Sequence, residues 1–115
     1  MATNVSDNFK AQMRKGFLEY CIMLRLSISE AYASDIMKTF ADGGFVIVEG
    51  TLYPLLTRLK NNGFLAYRWE ESTQGPPRKY YYLTSEGRSM LDEMEESYAE
   101  INNVINHIKC SLKDK

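Results

Sequence analysis

Gly50 to Gly63 reads GTLYPLLTRLKNNG, and its four leucines, Leu52, Leu55, Leu56 and Leu59, recur at helical spacing. Residues three and four apart share one side of a helix, so these leucines form a single apolar stripe. The opposite side carries Gly50, Pro54, Thr57, Arg58 and Asn61, which are small, polar or cationic. Such a helix is held from behind and keeps its front free. Pro54 is expected close to the start of this helix, which opens at Gly50-Thr51, because first-turn amides have no intrahelical acceptor to lose. Asn61-Asn62-Gly63 supplies the stop, with a glycine suited to the left-handed cap.

Downstream, FLAYRWEESTQGPPRKYYYLT (Phe64 to Thr84) predicts a β-hairpin. Leu65, Tyr67 and Trp69 alternate on one strand, and Tyr81 and Leu83 share a parity on the other. Glu70 to Pro77 is expected to be a polar loop stiffened by Gly75-Pro76-Pro77, since prolines cannot donate ladder hydrogen bonds and sit at tips or edges. The last helix starts at Thr84 or Ser85, either of which can cap it, and runs to about Leu112. Leu91, Tyr98, Ile105 and Leu112 fall on one heptad position, and Met94, Ile101 and Ile108 on the other. A helix of ~28 residues spans about 42 Å, too long to pack wholly on so small a domain, so part of it requires a partner.

Upstream, a helix from Asp7 to Leu26 is predicted by Phe9, Met13, Phe17, Tyr20 and Leu24, with apolar residues on nearly every side beyond Phe17. A short helix over Ala33 to Ala41 buries Ile36, Met37 and Phe40 and stops at Asp42-Gly43-Gly44. Phe45 to Val48 is a brief strand or an extended link. The fold class is therefore mostly α with a small β-hairpin, ordered helix, helix, helix, hairpin, helix. That is a winged helix-turn-helix over residues 1–84, followed by a long dimerisation helix over residues 85–115.

With 115 residues the chain forms one small domain, and no stretch approaches the ~20 apolar residues of a membrane helix. The start, MATNVSDNFK, lacks a secretory layout, so a cytoplasmic protein is expected. Cys21 and Cys110 stand far apart without metal-ligand spacing, and they are expected to be reduced packing residues. Catalysis has little support: His107 is the lone histidine, no nucleophile motif accompanies it, and no glycine-rich phosphate loop occurs. No cofactor or metal is expected. Net charge is −1, but it is unevenly spread. Over residues 51–80, Arg58, Lys60, Arg68, Arg78 and Lys79 outnumber Glu70 and Glu71, whereas residues 84–100 are strongly acidic. The first segment suits phosphates and the second repels them.

A helix that reads DNA must be pinned by one stripe and present residues that fit the major groove. Thr57, Arg58 and Asn61 can bond base edges or phosphates, and Arg58, with its two-pronged guanidinium, is the best candidate for a guanine. Gly50, Thr51 and Pro54 keep the leading end slim, and Tyr53 and Lys60 flank it. The hairpin tip, Thr73 through Lys79 with Gln74, Arg78 and Lys79 as its contacts, is expected to be the wing, whose cations position the protein on phosphates. Phe9, Met13, Phe17, Tyr20, Leu91, Met94, Tyr98, Ile101, Ile105 and Ile108 are the candidate contacts with a second copy of the chain. A protein-binding adaptor that uses a winged helix without reading DNA is the alternative.

These residues resemble the PadR family of transcriptional regulators. GTLYPLLTRLKNNGFL is similar to the family's recognition helix, WEESTQGPPRKYYYLTSEGR to its wing and the start of its last helix, and MRKGFLEYCIMLRL to its first helix. The resemblance covers Met13 to Arg88. It implies a homodimeric repressor that joins through its first and last helices and binds double-stranded DNA at an inverted repeat. The single terminal helix resembles the family's shorter branch. Tyr32-Ala33 departs from the family's usual Tyr-Gly pair, a change the fold is expected to survive because alanine favours helix. The resemblance also implies a small aromatic or drug-like effector, for which Met13, Gly16, Tyr20, Met94 and Tyr98 are the candidate lining, flexible and flat side chains suited to apolar ligands.

Overall fold

The computed structural model describes residues 2–113, with side chains from Val5 onward. Met1, Asp114 and Lys115, the outer ends of the two expected segments, lie outside the described residues. Four helices and one hairpin follow in the order α1 (Ala2–Ile28), α2 (Ala33–Asp42), α3 (Glu49–Asn61), β1 (Leu65–Ser72), β2 (Gly75–Leu83) and α4 (Ser85–Lys113). The predicted winged helix-turn-helix with a long last helix is the observed architecture. α1 extends five residues further at its start than its apolar spacing indicates. Phe45 to Val48 contains no strand and forms an extended link.

The core collects Leu18, Ile22, Met23 and Leu26 of α1, Ile36 and Phe40 of α2, and the leucine stripe of α3. Leu65, Tyr81 and Leu83 of the hairpin and Leu91 of α4 complete it. Burying an aliphatic side chain contributes about 1.5–3 kcal/mol, so the four α3 leucines anchor that helix strongly for its length.

Two helices end by the same device. Gly44 and Gly63, at φ 88° and 84°, take the left-handed conformation just past α2 and α3. The next amides, Phe45 N–H and Phe64 N–H, donate to the carbonyls of Phe40 and Leu59 at 2.9 and 3.0 Å. This closes each helix and turns the following phenylalanine towards the core. At the other end of α2, Asp35 accepts from the Tyr32 N–H at 3.0 Å.

Pro54 lies in the second turn of α3, because the helix opens at Glu49 after the Val48 cap rather than at Gly50-Thr51. Its missing N–H would have bonded the Gly50 carbonyl, four residues earlier. A carbonyl on an exposed face can turn to water, which limits the cost of that lost bond.

The hairpin is longer and its tip tighter than expected. Leu65 pairs with Leu83, Tyr67 with Tyr81, Trp69 with Lys79 and Ser72 with Gly75, so only Thr73-Gln74 connects the strands. Pro76 and Pro77 stand inside β2, and an irregularity between Glu70 and Ser72 interrupts the register. In a two-stranded sheet each strand is an edge, so a proline facing outwards forfeits no ladder bond. A single further bridge joins Ala31 to Tyr81 through N–H···O bonds of 3.0 and 2.8 Å, tying the α1–α2 connection to the wing.

Thr84 caps α4, its Oγ1 accepting from the Gly87 N–H at 3.0 Å while its hydroxyl donates to the Gly63 carbonyl at 2.6 Å. The ends of α3 and the start of α4 are thereby pinned to one another. Beyond Leu91, α4 has no buried residue within the chain. None of the described helices is long and apolar enough to cross a membrane.

Candidate nucleic-acid interface

The stripe of α3 lies fully inside while Gly50, Thr51, Tyr53, Pro54, Thr57, Arg58, Lys60 and Asn61 are all exposed. Tyr53, Pro54, Thr57, Arg58, Asn61 and Asn62 line one shallow surface depression on this free face. The front is open, as its sequence requires.

Beside it stands the wing. A second groove runs between the N-terminal turn of α2, Glu49 and Tyr53 of α3, and Trp69, Pro77, Arg78 and Lys79 of the hairpin. Tyr53 borders both depressions, so the α3 face and the wing cations belong to one continuous surface. Gln74 is exposed at the tip, where its backbone N–H donates to Ser72 Oγ at 3.2 Å.

Each wing cation is held by aromatic rings. The Arg78 guanidinium lies over Tyr32 at 4.0 Å and donates to Ser34 Oγ at 2.5 Å. Lys79 Nζ sits 4.5 Å from the Tyr67 ring and 5.6 Å from that of Trp69. A cation on a ring face keeps its charge while losing mobility. Tyr32, Ser34 and Trp69 were not legible as site residues, because their role is to touch Arg78 and Lys79 across the fold. Arg68 plays no part in this positive surface. It pairs with Glu30 at 2.6 Å and Glu70 at 3.0 Å and covers the Tyr80 ring.

Arg58 is half exposed, yet its Nε lies 3.5 Å from Oε2 of Glu19 on α1. The sequence offered no sign of this pairing, since Glu19 sits in a run of apolar residues that are packed from several sides. Tyr81, beneath the second groove, has its phenol pushed up by burial, with Tyr53 and Tyr67 adding to the effect, so it stays neutral.

The residues chosen for pairing with a second copy divide. Leu91 is buried in the chain's own core, and Tyr20 and Met94 pack partly against it. Phe9, Met13, Phe17, Tyr98, Ile101, Ile105 and Ile108 are exposed. Of the five suggested effector-lining residues, Tyr20 and Tyr98 stack on one another at 5.4 Å, Gly16 has open space around its α-carbon, and Met13 is 79% exposed. The apolar groove on this side runs instead along Phe17, Cys21, Leu24, Ile28, Phe40 and Phe45. Burial raises the Cys21 thiol there, which keeps it protonated and unreactive. Among the described residues no cluster of His, Cys, Asp or Glu is placed to hold a metal ion.

Known proteins share this arrangement. The model of the PadR-like transcriptional regulator family matches residues 22–93. A PadR-like transcription factor structure from Bacteroides fragilis is 61% identical, with a TM-score of 0.78 over 88% of this chain and 98% of that one. A PadR-like transcriptional regulator from Bacillus cereus is 34% identical, with a TM-score of 0.73 over 84% and 95% of the two chains. An uncharacterised protein of Lysinibacillus sphaericus is 26% identical over 84% of this chain and 91% of its own. With the family's model matched over residues 22–93 and a 61% identical PadR-like structure matched over 88% of the chain, the chain belongs to the PadR-like family of transcriptional regulators.

Proposed function

We propose that this protein is a sequence-specific, cytoplasmic DNA-binding repressor that grips an inverted-repeat operator as a homodimer. In each subunit α3 enters the major groove, with Arg58 on a guanine and Thr57 and Asn61 on neighbouring base edges or phosphates. Gly50, Thr51 and Pro54 keep its leading end narrow, and Tyr53 and Lys60 meet the groove walls. Gln74, Arg78 and Lys79 hold the flanking backbone from the wing. α1 and the free half of α4 join the two copies, and a small aromatic or drug-like effector bound near Met13, Gly16, Tyr20, Met94 and Tyr98 releases the operator.

The observation that carries this reading is the continuity of α3's open polar face with two aromatic-braced cations. The family membership argues the same way.

The test has two steps. Genomic fragments retained by the protein are sequenced and their common inverted repeat is read. Gel shifts on that duplex are then run at 50 and 200 mM salt, where six to ten phosphate contacts predict a loss of about 10³–10⁵ in affinity from counterion release. Failure to retain DNA, or binding indifferent to salt, would favour the adaptor reading.

A further inference from the structure

Glu19 is the charged side chain that the described fold buries. It lies on α1 behind α3, next to the buried Leu18 and close to Ile22 and Met23. Its side chain is 9% exposed and Arg58's is 52%, with Nε and Oε2 3.5 Å apart. Stability does not explain a carboxylate in that place. A 3.5 Å pair with a half-exposed partner contributes little, and apolar side chains commonly replace buried pairs without loss. What the pair does accomplish is geometric. It uses the inner nitrogen of the guanidinium, and the terminal nitrogens are the donors that guanine O6 and N7 accept from.

We infer that Glu19 is a positioning residue for base reading: from inside the domain it holds the Arg58 fork at a fixed point on the outer face of α3. A long, freely rotating arginine would lose its rotamer freedom on binding, and it would find phosphates as readily as bases. Held by Glu19, it arrives already aimed, and the nearby negative charge weakens non-specific attraction to phosphates. Glu19 therefore raises the ratio of specific to non-specific binding without touching DNA.

This inference rests on Arg58 reading a base, and the test separates the two ideas. Binding of Glu19→Gln, Arg58→Ala and the double variant is measured on the selected inverted repeat and on a scrambled duplex of equal length. Arg58→Ala is expected to lose about 5- to 150-fold on the inverted repeat. Glu19→Gln is expected to lose roughly two- to tenfold there, with scrambled-duplex binding unchanged or tighter. The double variant should bind no more weakly than Arg58→Ala alone, because Glu19 acts only through Arg58. Additive losses, or a Glu19→Gln loss equal on both duplexes, would overturn the inference and make Glu19 a structural residue. So would an unchanged ratio in Glu19→Gln beside a strong Arg58→Ala effect, which leaves base reading standing. No effect of Arg58→Ala removes base reading itself and this inference with it. Circular dichroism melts accompany each variant. Should Glu19→Gln unfold, the cycle is repeated with Glu19→Leu, which suits the apolar surroundings, and unfolding of both would assign Glu19 to folding and refute the positioning role.

Discussion

At Gly87 a single hydrogen in place of a side chain decides whether α4 can start where it does. A β-carbon there would stand 2.0 Å from the Phe64 carbonyl oxygen and 3.0 Å from its carbon, both backbone atoms that cannot yield cheaply. Gly50 is the opposite case, with nothing within 4 Å of the same construction. Gly87→Ala is therefore expected to cost about 1–3 kcal/mol through overpacking, read as a lower urea midpoint. Gly50→Ala is expected to stabilise the fold by up to about 1 kcal/mol, since alanine is the better helix former, while weakening operator binding by crowding the leading end of α3. Stability and binding moving together at Gly50 would contradict its assignment to the DNA-facing surface. From the sequence, Gly50 is readable as a slim position because it belongs to a periodic helix. Gly87 is not, because its constraint comes from Phe64, which lies against it only after folding.

Among the elements, the hairpin differs most from its expected form. Its strands run on to a two-residue connection, and its cations Arg78 and Lys79 are braced by aromatic rings. Alternation of Leu65, Tyr67 and Trp69 marks the strand as far as the apolar residues extend, and there the periodic signal ends. Beyond Trp69 the residues are polar on both faces, so the pairing of Glu70 with Arg78 and of Ser72 with Gly75 left no pattern to read. The bracing has a consequence for binding. Arg78 is fixed against Tyr32 and Ser34 at the mouth of the groove beside α3, and in the proposed complex its charge meets phosphate. Arg78→Ala is expected to weaken binding to all duplexes alike and to reduce the log–log salt slope by about one. A change in sequence preference instead would contradict a positioning role.

For the molecule as a whole, the exposed apolar surface is concentrated in the outer parts of α1 and α4. The chain measures 63 Å along its longest axis, the outer half of α4 presents Ile101, Ile105, Ile108 and Leu112 to solvent, and α1 exposes Val5, Phe9 and Met13. A long isolated helix with an apolar seam gains little stability from propensity alone and depends on packing. Pairing of two copies through these helices predicts that Ile101→Asp yields monomers in sedimentation and binds a single half-site at best. An intact Ile101→Asp dimer would move the interface elsewhere on the chain. Leu91, on the same heptad seam, is not available for that contact because the chain's own core takes it.

The helices, their stops, the hairpin and the open face of α3 were determined by the sequence alone, because each rests on neighbours a few residues apart: a leucine every third or fourth position, a glycine past a helix end, an alternating strand. The folded structure alone decided which partners the charged side chains meet. Glu19 and Arg58 are 39 positions apart, and Arg78 and Ser34 are separated by 44. Periodicity reports which side of an element faces inwards, but not which residue of another element waits there. That requires the packing of α1 against α3 and of the wing against α2, which no local pattern contains.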